Sequence, residues 1–148
     1  DVYKRQDLDG VDLNPIFNDK KLRERELYFH FPVYLEPYSV KRDGGTDPLF
    51  RTRPGTVIIK DNWKLHHYYE DNQFELYDLE KDISESNNLI DINIKKKGEL
   101  LSKLNHWRKT RNAPIPNKLN PFYDQKYVDS LMFLIEKNLI FGKVNKNE

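Results

Sequence analysis

The chain has 148 residues, 25 of them basic and 24 acidic, for a formal net charge of +1, and it contains no cysteine. That length fits one domain or a fraction of a larger one, and the balanced charge excludes a global field that would draw nucleic acid or an anionic membrane. The missing thiols exclude disulfides, thiolate metal sites and a cysteine nucleophile within these residues, and no apolar run approaches the roughly 20 residues of a membrane-spanning helix.

Residues 1–6 (DVYKRQ) begin without Met and look like a translated sequencing-adapter remnant, so they are expected to be a non-native or disordered start. Residues 7–25 read as a linker. Gly10 and Pro15 interrupt spaced apolar residues over 8–17, predicting a loop with one helical turn, and 18–25 are charged and solvated. Residues 26–31 (ELYFHF) alternate, with Leu27, Phe29 and Phe31 on one side and Tyr28 and His30 on the other. This pattern predicts a half-buried strand, ended by Pro32. Residues 37–48, with Asp43, Gly44, Gly45 and Asp47, predict a long loop of the kind that is either functional or disordered.

Residues 56–60, 63–69 and 73–79 are three strand-like runs joined by Asp61-Asn62 and by residues 70–72. Asx residues tolerate the left-handed backbone of tight hairpins, so the three form an antiparallel meander with 26–31 as a fourth strand. The polar segment 82–88 offers Asp, Ser and Asn side chains to local backbone groups. A helix is predicted over 92–111, with Leu100, Leu101, Leu104 and Trp107 as its apolar stripe. Lys103, Arg108, Lys109 and Arg111 are placed away from that stripe, and the basic C-terminal end suits the helix dipole. The Ala-Pro-Ile-Pro run at 113–116 stops the helix, and a second one is predicted over 124–138 with Asp124 as its N-cap. The expected fold is α+β: a four-stranded antiparallel sheet with one long helix packed on it over 26–113, and an extended tail with a short helix over 114–148.

His66 and His67 are neighbours on one strand, so they point to opposite faces and cannot share a metal; packing at a surface or interface is the expected role. Arg51 and Arg53 follow the long loop, and a guanidinium fork suits sulfate or carboxylate, with a solvated loop charge as the competing reading. Tyr28, His30, Lys64, His66 and Tyr68 are read as one basic and aromatic sheet face. Such a face would suit a free-standing module binding carbohydrate or single-stranded nucleic acid. The balanced charge and the lack of an RNP-type pattern argue against RNA.

Four tags in order, ELYFHFPVY at 26–34, NWKL at 62–65, FELYDL at 74–79 and DISESNNL at 82–89, resemble the C-terminal subdomain of type I sulfatases. Those enzymes hydrolyse sulfate esters on sugars and aryl groups. Asp9, Gly10, Val11, Asp12, Leu13 and Pro15 match the segment leading into that subdomain, and the resemblance runs from residue 9 to about 124. It implies a fragment whose N-terminal catalytic domain lies elsewhere. The family makes its formylglycine inside C/S-x-P/A-x-R, and Ser39, Ser84, Ser86, Ser102 and Ser130 all lack the following pattern. Its calcium is held by Asp and Asn/Gln side chains of the catalytic domain, so formylglycine and calcium are both expected there, with no catalytic residue or metal ligand here. The resemblance implies a sulfated carbohydrate substrate, contacts to it from His30, Tyr34, Arg51 and Arg53 at the edge of the cleft, and a periplasmic or extracellular parent. Phosphodiesterases of the same alkaline phosphatase superfamily, and parents that have lost the nucleophile, share such a subdomain and remain alternatives.

Overall fold

Four strands, β1 (Glu26–Phe31), β2 (Gly55–Lys60), β3 (Trp63–Tyr68) and β4 (Phe74–Asp78), form one antiparallel sheet in chain order. The computed structural model describes residues 10–35, 49–118 and 120–137; the expected start at 1–6, the loop at 37–48 and the last residues of the tail lie outside these. The hairpin turns form as their Asx residues predict, with Asp61 and Asn72 in the left-handed region at φ 54° and 55°. An isolated bridge between Leu35 and Thr52 joins the two ends of the chain that flank residues 36–48.

The helices are α1 (Asn14–Phe17), the single turn expected near Pro15, α2 (Ile94–Thr110) and α3 (Gln125–Glu136). Helix α2 starts two residues later than the apolar pattern predicts, because Asn93 caps it by accepting from the Lys96 amide at 3.4 Å. Asp124 caps α3 in the same way through Lys126. No helix among the described residues is long and apolar enough to cross a membrane.

Strand register decides which face α2 covers. Tyr28 pairs with Ile58, Ile58 with Leu65, and Leu65 with Leu76, so these four form one row across the sheet. Ile58, Leu65 and Leu76 meet Leu100 and Leu104 of α2 in a fully buried core, with Trp63, Phe74 and Leu101 packed around it. Tyr28 lies flat against Trp107, with ring centroids 4.9 Å apart and planes 7° from parallel. The stripe read from the sequence is therefore the packed face of α2.

Two expectations change. Tyr28 and His30 lie on the helix-covered face, while Lys64, His66 and Tyr68 lie on the other, so the proposed basic and aromatic face does not exist as one surface. The reason is register: His30 aligns with Thr56 and Thr56 with His67, which puts the odd-numbered residues of β3 on the side of the even-numbered residues of β1. Leu27, Phe29 and Phe31 then share the open face, where Phe29 is 56% and Phe31 41% exposed. The second change is Arg108, which is only 7% exposed rather than solvated. It stands four residues after Leu104 and continues the buried line along α2.

Segment 82–89 closes the outer edge of β4. Asn88 Oδ1 accepts from the amides of Leu76 at 3.0 Å and Ile90 at 3.1 Å, and the Leu89 amide donates to the Leu76 carbonyl at 2.8 Å. Asp82 holds the turn before it by accepting from the Asn87 amide at 2.8 Å. Backbone donors from Ser86 and Asn87 hold the Asp82 carboxyl below the usual range.

Candidate functional site

At the end of the sheet beneath the C-terminus of α2, the pairing places His30, Thr56, His67 and Phe74 in one row over all four strands. The apolar core stops there and a polar cluster takes its place. His30 Nε2–H donates to the Pro114 carbonyl at 2.9 Å, which leaves Nδ1 to accept from the Thr56 hydroxyl at 2.8 Å or the Tyr69 hydroxyl at 3.2 Å. Tyr69 and Thr56 are also hydrogen-bonded to each other. His30 thus ties β1 to β2 and to the chain leaving α2.

His67 stacks on Phe74 with ring centroids 4.2 Å apart. Arg108 Nη1 donates to His67 Nδ1 at 2.8 Å, and since a guanidinium can only donate, the His67 proton sits on Nε2 and goes to Asn72 Oδ1 at 2.9 Å. Burial, aided by the Arg108 charge, holds the His67 pKa below its usual value. Arg108 Nη2 donates to Asn105 Oδ1, and the guanidinium carbon stands 5.6 Å from the Tyr69 ring centroid. A cleft of about 560 Å³ opens beside this group, lined by His67, Tyr69, Asn105, Arg108, Lys109 and Asn112 among others. Gly55 makes the close approach of β2 to β3 feasible, because a Cβ there would stand 2.8 Å from the His67 carbonyl oxygen.

The open face carries a second set of groups. Arg53 Nη1 bonds Asp71 Oδ2 at 2.6 Å, with Glu70 at 3.8 Å, and the guanidinium lies 4.6 Å over the Tyr68 ring. The Tyr68 hydroxyl donates to Glu75 at 3.2 Å, and burial raises its pKa above the usual phenol range. Burial also pushes the Tyr77 hydroxyl up to about 12. Glu85 receives Lys64 at 2.6 Å and faces His66 Nε2 at 3.1 Å, yet burial outweighs that carboxylate and keeps the His66 pKa low. Phe29, Phe31, Arg53, His66 and Tyr68 line a smaller groove of about 170 Å³.

Of the four residues singled out as substrate contacts, Arg53 alone lines either cleft. His30 lies under the first cleft's Tyr69 with both ring nitrogens bonded inside the chain. Tyr34 packs on Phe50 with centroids 4.5 Å apart, and Arg51 bonds Leu35 through its backbone amide at 2.7 Å, so these two flank residues 36–48. Arg108, Asn105 and Tyr69 were not singled out from the sequence. The signal for Arg108 was its place four residues beyond Leu104.

No serine sits in the formylglycine motif, and among the described residues no three His, Cys, Asp or Glu side chains gather as metal ligands.

Comparison with known proteins adds three findings. The family described as N-sulphoglucosamine sulphohydrolase, C-terminal, matches residues 1–113. A sulfatase of Formosa agariphila is 31% identical over an alignment of 124 residues that covers 75% of this chain and 20% of the relative, so the chain spans about a fifth of that protein's length. The solved structure of a candidate sulfatase from Bacteroides thetaiotaomicron superposes with a TM-score of 0.52 at 22% identity, over 76% of this chain and 23% of the other. At that identity the superposition speaks to fold alone.

Proposed function

This chain belongs to the family of N-sulphoglucosamine sulphohydrolase C-terminal domains, and from that premise we propose that it serves as the C-terminal part of an enzyme hydrolysing sulfate esters on carbohydrates. The family match over residues 1–113 carries the reading. The sheet and helix that those residues build are consistent with it.

On this reading the reaction runs in the other four-fifths of the parent, where calcium and formylglycine belong. This chain completes that enzyme's fold. The open face of the sheet, with Phe29 and Phe31 at its surface, packs on the catalytic part, since an apolar patch of this kind is where a partner element sits. Tyr34, Arg51 and Arg53 border the substrate cleft, and His30 acts from behind them by fixing β1 against the chain after α2. Sulfated sugars are extracellular polymers or their fragments, so the parent works in the periplasm or outside the cell.

Recovering the DNA before the codon for Asp7 and expressing the whole protein tests this. The expected result is an upstream C/S-x-P/A-x-R motif and sulfate release from sulfated sugars. An upstream half without that motif, or hydrolysis of phosphodiesters only, overturns it.

A further inference from the structure

Arg108 is a buried cation with no acidic partner among the described residues. A guanidinium has five N–H donors. Arg108 spends one on His67 and one on Asn105, both neutral acceptors, and no carboxylate among the described residues lies within ion-pair distance of it. Nη1 and Nη2 each carry one of those bonds, Nε bonds no described residue and is not fully buried, and Arg108 lines the adjoining cleft. Taking a charge out of water without a counter-charge is costly, and a fold keeps such a group where something else supplies the charge.

The surroundings point to an anion. No aspartate or glutamate among the described residues lines the cleft, while Lys109 adds a second positive charge and Asn105 and Asn112 add amide groups. His67 fixes the guanidinium plane by accepting at Nδ1, and it is itself held by Asn72 and Phe74. A fork held at a set angle over a cleft of about 560 Å³ is matched in shape by a planar or tetrahedral oxyanion. The Tyr69 ring and Ile115 on its walls leave room for the apolar face of a sugar ring carrying that group.

We propose that Arg108, supported by Lys109 and oriented by His67 and Asn105, forms an oxyanion-binding site for a sulfate group, delivered either as free sulfate or on a sugar. The oxyanion site itself stands without the sulfatase reading; sulfate as its anion, and delivery on a sugar, rest on that reading.

The test is NMR titration of the 148-residue chain with sodium sulfate against sodium chloride at matched ionic strength. Saturable shifts of the Arg108 Nε–H and the His67 ring, seen with sulfate and not with chloride, are expected. Arg108→Gln keeps an amide N–H2 that can donate to His67 and Asn105, so the spectrum outside the cleft should persist while sulfate binding weakens roughly tenfold or more. Should that variant unfold, Lys109→Ala, on an exposed position, must still weaken sulfate binding severalfold. Glucose 6-sulfate and glucose distinguish the sources: tighter binding of the sulfated sugar than of inorganic sulfate assigns the group to a carbohydrate, and equal binding assigns it to the free ion. Shifts that do not saturate, or that chloride reproduces, overturn the site and leave Arg108 to a carboxylate of another protein segment. The parent could still prove to be a sulfatase in that case, because sulfate-ester hydrolysis is read out separately.

Discussion

Replacing Asn88 should cost far more than its surface position implies. Asn88 is solvent-exposed, yet its Oδ1 is the acceptor for the amide of Leu76, a residue with no exposed surface. Strand β4 is the edge of the sheet, so its outward-facing amides have no strand to pair with. Asn88→Ala leaves the Leu76 N–H under the Leu89 backbone without an acceptor, a loss of about 1–3 kcal/mol for a buried donor. The Ile90 amide, at a more open position, can turn to water and adds little. With a urea slope of about 1–3 kcal/mol/M, the midpoint should fall by roughly 1 M.

Asn88→Asp separates this cause from a general effect of changing the residue. A carboxylate oxygen accepts from both amides as the Asn oxygen does, so that variant should stay within about 0.5 kcal/mol of the parent. Urea unfolding followed by tryptophan fluorescence reads the stability, and hydrogen exchange at the Leu76 amide reads the bond itself. A neutral Asn88→Ala, or an Asn88→Asp as damaging as the alanine, would refute the reasoning.

Gly55→Ala should destabilise the sheet by about 1–3 kcal/mol, because the new methyl meets the His67 carbonyl, a backbone atom that cannot swing away; an unchanged urea midpoint counts against the close approach. Leu104→Ala, which hollows the core between α2 and the sheet, should cost about 2–5 kcal/mol by the same measurement, and a loss under about 1 kcal/mol would mean that α2 does not pack there. Stability should also depend on pH through His66 and His67. Burial lowers both pKa values in the folded chain, so the unfolded chain takes up protons first. The histidine contribution is therefore complete above about pH 6.5, the ordinary imidazole value, and is lost as pH falls below it towards the depressed folded values. Urea midpoints that stay level from pH 7.5 to 5.5 would contradict this.

The sheet was legible because its signals are local. Asp61 and Asn72 announce the turns, alternation marks the strands, and the polar segment after β4 carries the Asp and Asn that hold its edge. What could not be read was the side of the sheet that α2 would take. Strand β1 offers Leu27, Phe29 and Phe31 on one face and Tyr28 with His30 on the other, and by apolar content the first set looks like the core. The choice is made elsewhere, by Ile58, Leu65 and Leu76 aligning in one row. A strand at the edge follows the register of its neighbours and not its own composition. The same non-local rule hid the polar cluster, since His30, Thr56 and His67 become neighbours only when three strands pair.

Arg108 was misplaced for a different reason. Pattern reading assigns charged side chains to solvent, and on α2 that rule holds for Lys109. It fails at Arg108 because the apolar core ends one turn earlier, at Leu104, and the sheet beneath the next turn presents His67 and Tyr69 in place of Ile58 and Leu65. A guanidinium can lie on an aromatic ring and donate from separate nitrogens to an imidazole and an amide, which an aliphatic residue cannot do and a lysine, with its single nitrogen, cannot match in geometry. The burial of Arg108 thus follows from what the sheet sets beneath it, and its unspent donors follow from the lack of an acid among the described residues of that wall. A structural role needs only the two bonds to His67 and Asn105, which a glutamine could supply in part. Full charge and three further donors at this position are surplus to packing, and sulfate binding by the parent chain but not by Arg108→Gln is the result that would give the surplus its use.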